Sequence, residues 1–269
     1  PGPFLSQATI DDVAAAGFTL VTNACDWAAY QPTYNQDMLR YAEGAGIDAI
    51  VIDARVIDAV AGNNVEANLD AVVADYAASK ALAGYLLADE PSVSAFAQIT
   101  TVVSGLRARD PAHYSYTNLF PNYATTGQLG AASYDDYLTQ FLSTVMPPFL
   151  SYDHYNFLAS GADNTVFFSN LETVRRHAIA GGKPFWQIIQ AIGFNGMRTP
   201  NADEKRWAAM HTIAYGAAGV GWFTYWTPAG TDNFTYGLVD VSGAHTSQWA
   251  EVQAINHDIA TIGRYLVPA

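Results

Sequence analysis

Gly84-Tyr85-Leu86-Leu87-Ala88-Asp89-Glu90-Pro91 is an apolar run that ends abruptly in two adjacent carboxylates and a proline. A fully buried parallel strand that delivers acids to the mouth of a barrel has this form. Pro91 lacks an N–H and keeps Glu90 out of the α region, so the strand stops there. Placing two acids where an apolar strand meets a loop is costly unless the charges serve a purpose. The plain alternative is that Asp89 caps the next helix, near 92–96, while Glu90 is simply solvated. Recurrence of the same pattern along the chain favours the first reading.

Short apolar runs at 18–24, 49–54, 84–90, 113–120, 149–155, 184–191 and 220–226 alternate with helix-period segments. Their starts lie about 30–36 residues apart, the length of one βα unit with its loops. The intervening amphipathic segments are 35–44, 65–79, 95–109, 134–145, 166–180 and 203–216, several closed by Gly, and 247–263 reads as a last helix. Residues 9–17 also read as a helix, which in this alternation follows a strand. Residues 1–6 are therefore expected to form a short or clipped first strand. The Asp-Glu-Pro strand becomes the fourth of eight, and the expected fold is α/β, a (β/α)8 TIM barrel formed by residues 1–269 as one domain. The rival is a doubly wound open sheet, but the first strand–helix junctions lack G-x-G-x-x-G spacing.

At 269 residues, 50% hydrophobic and 14% charged, the chain suits one large globular unit. No apolar run is long enough to span a bilayer. The net charge of −13, with 12 Lys plus Arg and no basic patch, argues against nucleic acid and anionic membranes as partners. Aromatics make up 13% and gather near strand ends, which suits neutral, C–H-rich ligands such as sugars and also ordinary rim packing. Cys25 stands alone, so neither an intrachain disulfide nor a Cys-based metal site is available. The start at Pro1, without Met or a signal pattern, points to a processed or trimmed product; an extracytoplasmic location is expected, and a cytoplasmic one is compatible.

In a barrel the working groups sit at the C-terminal ends of the strands. Those ends carry Asn23 and Asp26, Asp53 and Arg55, Asp89 and Glu90, Asn118 and Asn122, Asp153, His154 and Tyr155, Gln187 and Gln190, and Tyr225 and Trp226. Almost every strand thus ends in a polar or aromatic residue, more than a structural barrel requires, although strand ends must become polar somewhere.

Glu90, preceded by a polar residue and followed by Pro91 on the fourth strand, resembles the Asn-Glu-Pro strand end of glycoside hydrolase clan A, the barrel enzymes that include β-galactosidases and cellulases. Trp226, in Gly221-Trp222-Phe223-Thr224-Tyr225-Trp226, looks like the clan's eighth-strand tryptophan that floors the sugar subsite. Tyr155 lies near where the clan often keeps a sixth-strand aromatic. The resemblance implies a hydrolase of O-glycosidic bonds acting on an oligo- or polysaccharide. Two departures stand out: Asp89 occupies the place of the clan's Asn, and Gln190 the place of its nucleophilic Glu on the seventh strand. A neutral amide cannot form a glycosyl ester, so either another carboxylate has the task or the protein is not a hydrolase.

Glycosidic cleavage needs one carboxyl that stays protonated and a second that stays ionised. Glu90 is assigned as general acid, with Asp153 as the second carboxylate and Asp89 next. Adjacent strand residues point to opposite faces, so Asp89 and Glu90 share the site only if the strand end twists. His154 could orient Asp153 or serve as a wall residue. Trp186, Trp226, Tyr225 and Tyr155 are sugar-stacking candidates, and Asn23, Asp53, Asn118, Asn122 and Gln190 could hold hydroxyls. The loops 120–133, 156–165, 193–202 and 227–237 have the composition of ligand-contacting loops. In one of them Arg198 is expected to pair with a carboxylate rather than with an acidic sugar. No H-x-H or H-E-x-x-H spacing occurs, and no metal or other cofactor is assigned. The rivals are a metal-dependent sugar isomerase or hydrolase using Asp89, Glu90, Asp153 and His154, and a non-catalytic carbohydrate-binding barrel.

Overall fold

A computed structural model describes residues 4–22, 32–228 and 233–266. The strands are β1 (Leu20–Thr22), β2 (Asp48–Val51), β3 (Leu82–Asp89), β4 (Tyr114–Asn118), β5 (Leu150–His154), β6 (Phe185–Gln190) and β7 (Gly219–Phe223). The helices are α1 (Gln7–Ala15), α2 (Pro32–Ala45), α3 (Ala54–Val60), α4 (Val65–Tyr76), α5 (Phe96–Arg109), α6 (Thr126–Leu129), α7 (Tyr134–Thr144), α8 (Phe167–Gly181), α9 (Ala202–Ala214) and α10 (Ser247–Leu266). Side-chain caps set several starts: Ser6 accepts from Thr9 N, Asp53 from Arg55 N, and Thr125 and Asn201 each complete a capping box with the residue three positions on.

All the ladders are parallel. β1 to β4 follow in order in one sheet and β5 to β7 in another. A parallel bridge between Leu119 and Tyr152, with Leu119 N donating to Ser151 O at 2.8 Å, carries the succession from β4 to β5. Two apolar layers result. The larger lies between strands and helices and includes Tyr85, Leu87, Phe96, Phe141 and Leu171. The smaller, of Ile50, Ile52, Leu86, Tyr116 and Phe149 with Leu20 and Trp186 against it, fills the inner side of the strands. This is a parallel α/β arrangement consistent with a barrel. The Asp-Glu-Pro strand is β3.

Residues 1–3 of the expected first strand lie outside the described residues, and 4–6 form a turn and the cap of α1 rather than a strand. Among the described residues no ladder joins β7 to β1. The helix α3, absent from the sequence reading, begins directly at the end of β2, where the Asp53 cap stops the strand.

The close approach of β3 and β4 depends on Gly84, where a Cβ would lie 2.3 Å from Tyr114 O. Backbone, unlike a flexible side chain, cannot step aside cheaply. Gly84→Ala is expected to part the two strands and cost roughly 2–3 kcal/mol, by analogy with overpacked cores; urea unfolding of wild type and variant measures it.

Candidate active site

Three neighbouring strand ends build the site, and a bulge sets their phase. Leu86 pairs with Tyr116, Ala88 with Thr117 and Asp89 with Asn118, so Leu87 is an extra residue on β3. Because the bulge absorbs that residue, Asp89, three positions after Leu86, lies on the inner face that Leu86 occupies, beside Asn118. Glu90 then adopts a left-handed backbone, φ 47°, while its N–H still donates to Asn118 O at 2.8 Å. A non-glycine residue pays a conformational penalty there. The turn breaks the strict alternation, so Glu90 lies within electrostatic reach of both Asp89 and Asp153.

Asn118 ties the cluster together. Its Nδ2 donates to Asp89 Oδ1 at 3.0 Å and to Asp153 Oδ1 at 2.8 Å, and its Oδ1 accepts from Ser151 Oγ at 3.2 Å. Ser151 Oγ also shares a 3.0 Å hydrogen bond with Tyr116 OH. One amide thus holds two carboxyls from flanking strands, and a hydroxyl below it holds the amide.

The three carboxyls differ in setting. Asp153 is 4% exposed, and burial first, then the charges of Glu90 and Asp89, push its pKa well above the ordinary carboxylate range. Glu90 is half-buried and accepts no hydrogen bond from a described residue; burial and then the Asp89 charge raise its pKa to about 7. Asp89 is open to solvent at the rim yet desolvated on its inner side, which raises its pKa against the opposing pull of the Asn118 bond. Burial thus favours the protonated form of Asp153, the carboxyl expected to serve as the ionised partner of Glu90.

An aromatic wall stands beside the acids. The Tyr155 ring meets Phe194 at 5.0 Å and Phe223 at 5.6 Å between centroids, and Phe194 also meets Phe223 at 5.3 Å and Phe234 at 5.8 Å. Tyr123 closes another side: its hydroxyl accepts from Tyr155 N at 3.4 Å. The charges of Asp153, Asp89 and Glu90 act on the Tyr155 hydroxyl, which burial above all keeps protonated.

The structure brings together Asp89, Glu90, Asn118, Asp153 and Tyr155, and places other expected residues elsewhere. Asp53 caps α3, forms a bidentate pair with Arg55 and accepts from Tyr76 OH at 2.6 Å; although burial works the other way, these bonds hold its carboxyl below the usual range. Asn122 is tied to α8, its N–H donating to Asn170 Oδ1 and its Nδ2 reaching Ser169 Oγ. His154 faces outward between the rings of Tyr123 and Phe167, makes no bond to Asp153, and is held neutral by burial, its pKa lowered to about 3. Trp186 lies low in the inner layer, stacked on Phe149 at 4.0 Å. Gln190 spends its amide on backbone, accepting from Phe157 N and donating to the carbonyls of Phe157, Ile192 and Arg198. Tyr225 turns to α1, donating to Asp12, and Trp226 packs edge-on against Phe4 at 6.3 Å. Asn23 and Asp26 lie outside the described residues. Arg198 makes a bidentate pair with Glu204 at 2.6 and 2.7 Å. Among the described residues, no three His, Cys, Asp or Glu side chains converge as a metal-ligand set.

Sequence reasoning missed Tyr123, Ser151, Phe194, Phe223 and Phe234. Strand parity held the signal for two of them. Ser151 shares a face with Asp153, and Phe223 shares one with Gly219 and Gly221, whose missing side chains make room for Trp186 and Ile188.

No protein-family profile matches the chain, and no curated protein matches it. Among solved structures it is similar to a β-galactosidase from the psychrophilic Marinomonas ef1, with TM-score 0.73 and 11% identity over 99% of this chain and 58% of that one. It is similar also to a polyextremophilic β-galactosidase from the Antarctic haloarchaeon Halorubrum lacusprofundi, TM-score 0.65 and 12% identity over 96% of this chain and 57% of that one. A β-1,4-D-mannanase from Cryptopygus antarcticus aligns with TM-score 0.57 and 13% identity over 93% of this chain and 82% of that one. At these identities the likeness is one of fold, a glycoside hydrolase fold, and the chain spans a little over half the length of the two β-galactosidases.

The shared amide makes a prediction about charge. Asn118 lowers the pKa of both Asp89 and Asp153, so Asn118→Leu is expected to raise both, and carboxyl ¹³C titration of wild type and variant reads the shift directly.

Proposed function

We propose that this chain is a glycoside hydrolase domain, one catalytic barrel over residues 1–269, that cleaves O-glycosidic bonds of a neutral oligo- or polysaccharide. The observation that carries the reading is the convergence of three carboxyls in unequal surroundings at neighbouring strand ends beside an aromatic wall. The glycoside hydrolase fold of the structural neighbours supports it.

Glu90 is the proton donor. Its carboxyl accepts no hydrogen bond from a described residue and its pKa is raised to about 7, so it is protonated often enough to give a proton to the departing glycosidic oxygen and ionised often enough to take one back. Asp89 is the second carboxyl, because it is the most solvent-accessible of the three and keeps the Asn118 bond that favours its ionised form. As the glycosidic C–O bond breaks, its electron pair stays on the leaving oxygen, which takes the Glu90 proton; the Asp89 carboxylate stabilises the electron-poor anomeric carbon, and a water oxygen then bonds to that carbon and gives its proton to a carboxylate. Burial favours the protonated form of Asp153, which lessens the negative charge gathered at the site. Tyr155, Phe194 and Phe223 offer ring faces to sugar C–H groups. With Arg198 committed to Glu204, the mouth has no unpaired arginine there for an acidic sugar.

Reducing-sugar release from a panel of neutral glycans and aryl glycosides tests the assignment. Wild type is expected to release sugar, Glu90→Gln and Asp89→Asn to lose on the order of 10²–10⁴-fold, and Asp153→Asn to lose less. Release undiminished in Glu90→Gln removes the proposed acid, and saturable glycan binding without release would make the protein a carbohydrate-binding barrel.

Two pH effects follow. A general acid must be protonated, so activity is expected to fall as pH rises through about 7. Because the folded pKa of Glu90 is raised above its ordinary value, ionising it weakens the fold as pH rises from about 4.5 to 7, and the full cost remains above that. Glu90→Gln is therefore expected to melt above wild type at pH 8.5 and level with it at pH 4, as scanning calorimetry would show.

A further inference from the structure

Beneath the acids, the inner apolar layer holds a hydroxyl that its packing does not require. Tyr116 stacks on Phe149 at 5.7 Å between ring centroids and meets Trp186 at 6.2 Å, contacts that a phenylalanine would make equally well. It is 6% exposed, and a hydroxyl so placed costs stability unless it is bonded. Its partner among the described residues is Ser151 Oγ, itself fully buried on the neighbouring strand.

Each proton of this buried chain has one destination. The Ser151 proton goes to Asn118 Oδ1. Burial above all keeps the Tyr116 phenol protonated, and Ser151 Oγ is the acceptor open to that proton. Asn118 Nδ2 spends its two protons on Asp89 Oδ1 and Asp153 Oδ1. Every donor therefore points one way, from the inner layer toward the carboxyls. Turning the amide over would set its oxygen against two acid oxygens. It would also reverse Ser151 onto Tyr116, whose proton would then lack an acceptor among the described residues, and a buried donor left unpaired is costly.

We infer that Tyr116 and Ser151 are positioning residues for the acid cluster: through their hydroxyls the Asn118 amide is held with its donor side to Asp89 and Asp153, which favours the ionised form of both. A carboxylic acid accepts best at its carbonyl oxygen, so a proton carried by either acid sits on Oδ2, away from Asn118. The other titratable groups that interact with these carboxyls are Glu90, Tyr123, Tyr134, Tyr137, Tyr152 and Tyr155. None of their side chains hydrogen-bonds to Tyr116, Ser151 or Asn118, so the chain acts on the two acids by itself. Its role in catalysis rests on the hydrolase reading above; its hold on the carboxyls does not.

Carboxyl ¹³C titration of the 269-residue chain tests this on wild type, Tyr116→Phe, Ser151→Ala and the double variant. Ser151→Ala is expected to raise the midpoints of Asp89 and Asp153, and Tyr116→Phe to raise both by less. The double variant is expected to match Ser151→Ala, because Tyr116 acts only through Ser151. Asp53, held by Arg55, serves as the control that stays in place. Stability is expected to behave differently. Ser151→Ala strips the Tyr116 proton of its acceptor and melts below wild type, whereas the double variant leaves no orphan and melts above Ser151→Ala. Midpoints that return toward wild type together with the melting temperature would reduce the chain to packing and overturn the inference. So would midpoints unmoved or lowered in Ser151→Ala and in the double variant, or a Tyr116→Phe shift that persists in full beside Ser151→Ala. In the sugar-release assay, Ser151→Ala and the double variant are expected to lose about tenfold or more in kcat with KM unchanged. Full kcat beside raised midpoints would overturn the positioning role in catalysis. A wild type that releases no sugar removes the hydrolase reading alone, since the titration still decides whether the chain governs the acids.

Discussion

The register between β3 and β4 is the constraint on which the rest of the site depends. It is fixed at one end by Gly84, where only a hydrogen can face Tyr114 O, and at the other by the bond from Glu90 N to Asn118 O. Between these two points β3 carries one more residue than β4, and the strand absorbs it at Leu87. A side-chain period of two makes that single residue decisive. In a regular strand Asp89, three residues after Leu86, would fall on the opposite face, among the apolar residues that meet the helices. With it, Asp89 meets Asn118, and Asn118 in turn meets Asp153 on β5.

A cluster of this kind works against the fold that holds it. Burial raises the pKa of all three carboxyls, and among the described residues no cation offsets their mutual repulsion; the opposing influences come from Asn118 and from the backbone at Asp153. The structure stabilises charge elsewhere with ordinary means, such as Arg55 on Asp53 and Arg198 on Glu204. Leaving Glu90 without a hydrogen-bond partner among the described residues, while arginines serve structural carboxylates, is a distribution suited to reactivity rather than stability. The left-handed backbone at Glu90 belongs to the same pattern, since a functional position is where such a cost is ordinarily retained.

The alternation of runs and helices was legible because a buried parallel strand is apolar on both faces and a βα unit has a narrow range of lengths. The Asp-Glu-Pro end was legible because a charge at the end of such a run has few inexpensive explanations. What was not legible was direction. Asp153 and Tyr155 share one face of β5 while His154, between them, points to Phe167. Trp186 and Gln190 share a parity on β6, but Trp186 sits too low to meet a ligand at the mouth and Gln190 is captured by the 156–157 and 192–198 backbone. Asp53 looked equivalent to Asp89 in the sequence, yet it starts a helix immediately and is neutralised by the arginine two residues on. Local sequence describes where a strand ends; a neighbour decides whether the last side chain is free.

Gln190 shows how the site is displaced relative to the enzymes its strand end resembles. On β6 a carboxylate in its place would confront the carbonyls of Phe157, Ile192 and Arg198, to which the amide now donates. Those three acceptors demand a donor, so the residue that pins the loops after β5 and β6 cannot also be an anion. The negative charge is confined instead to β3 and β5 around Asn118, and the β6–β7 side of the mouth is left to Phe194, Phe223 and Phe234. This division gives the cleft a polarity. On the proposed reading, a sugar ring lying on the aromatic side would present its scissile bond toward β3, where Glu90, without a hydrogen-bonding partner among the described residues, is the carboxyl to meet it.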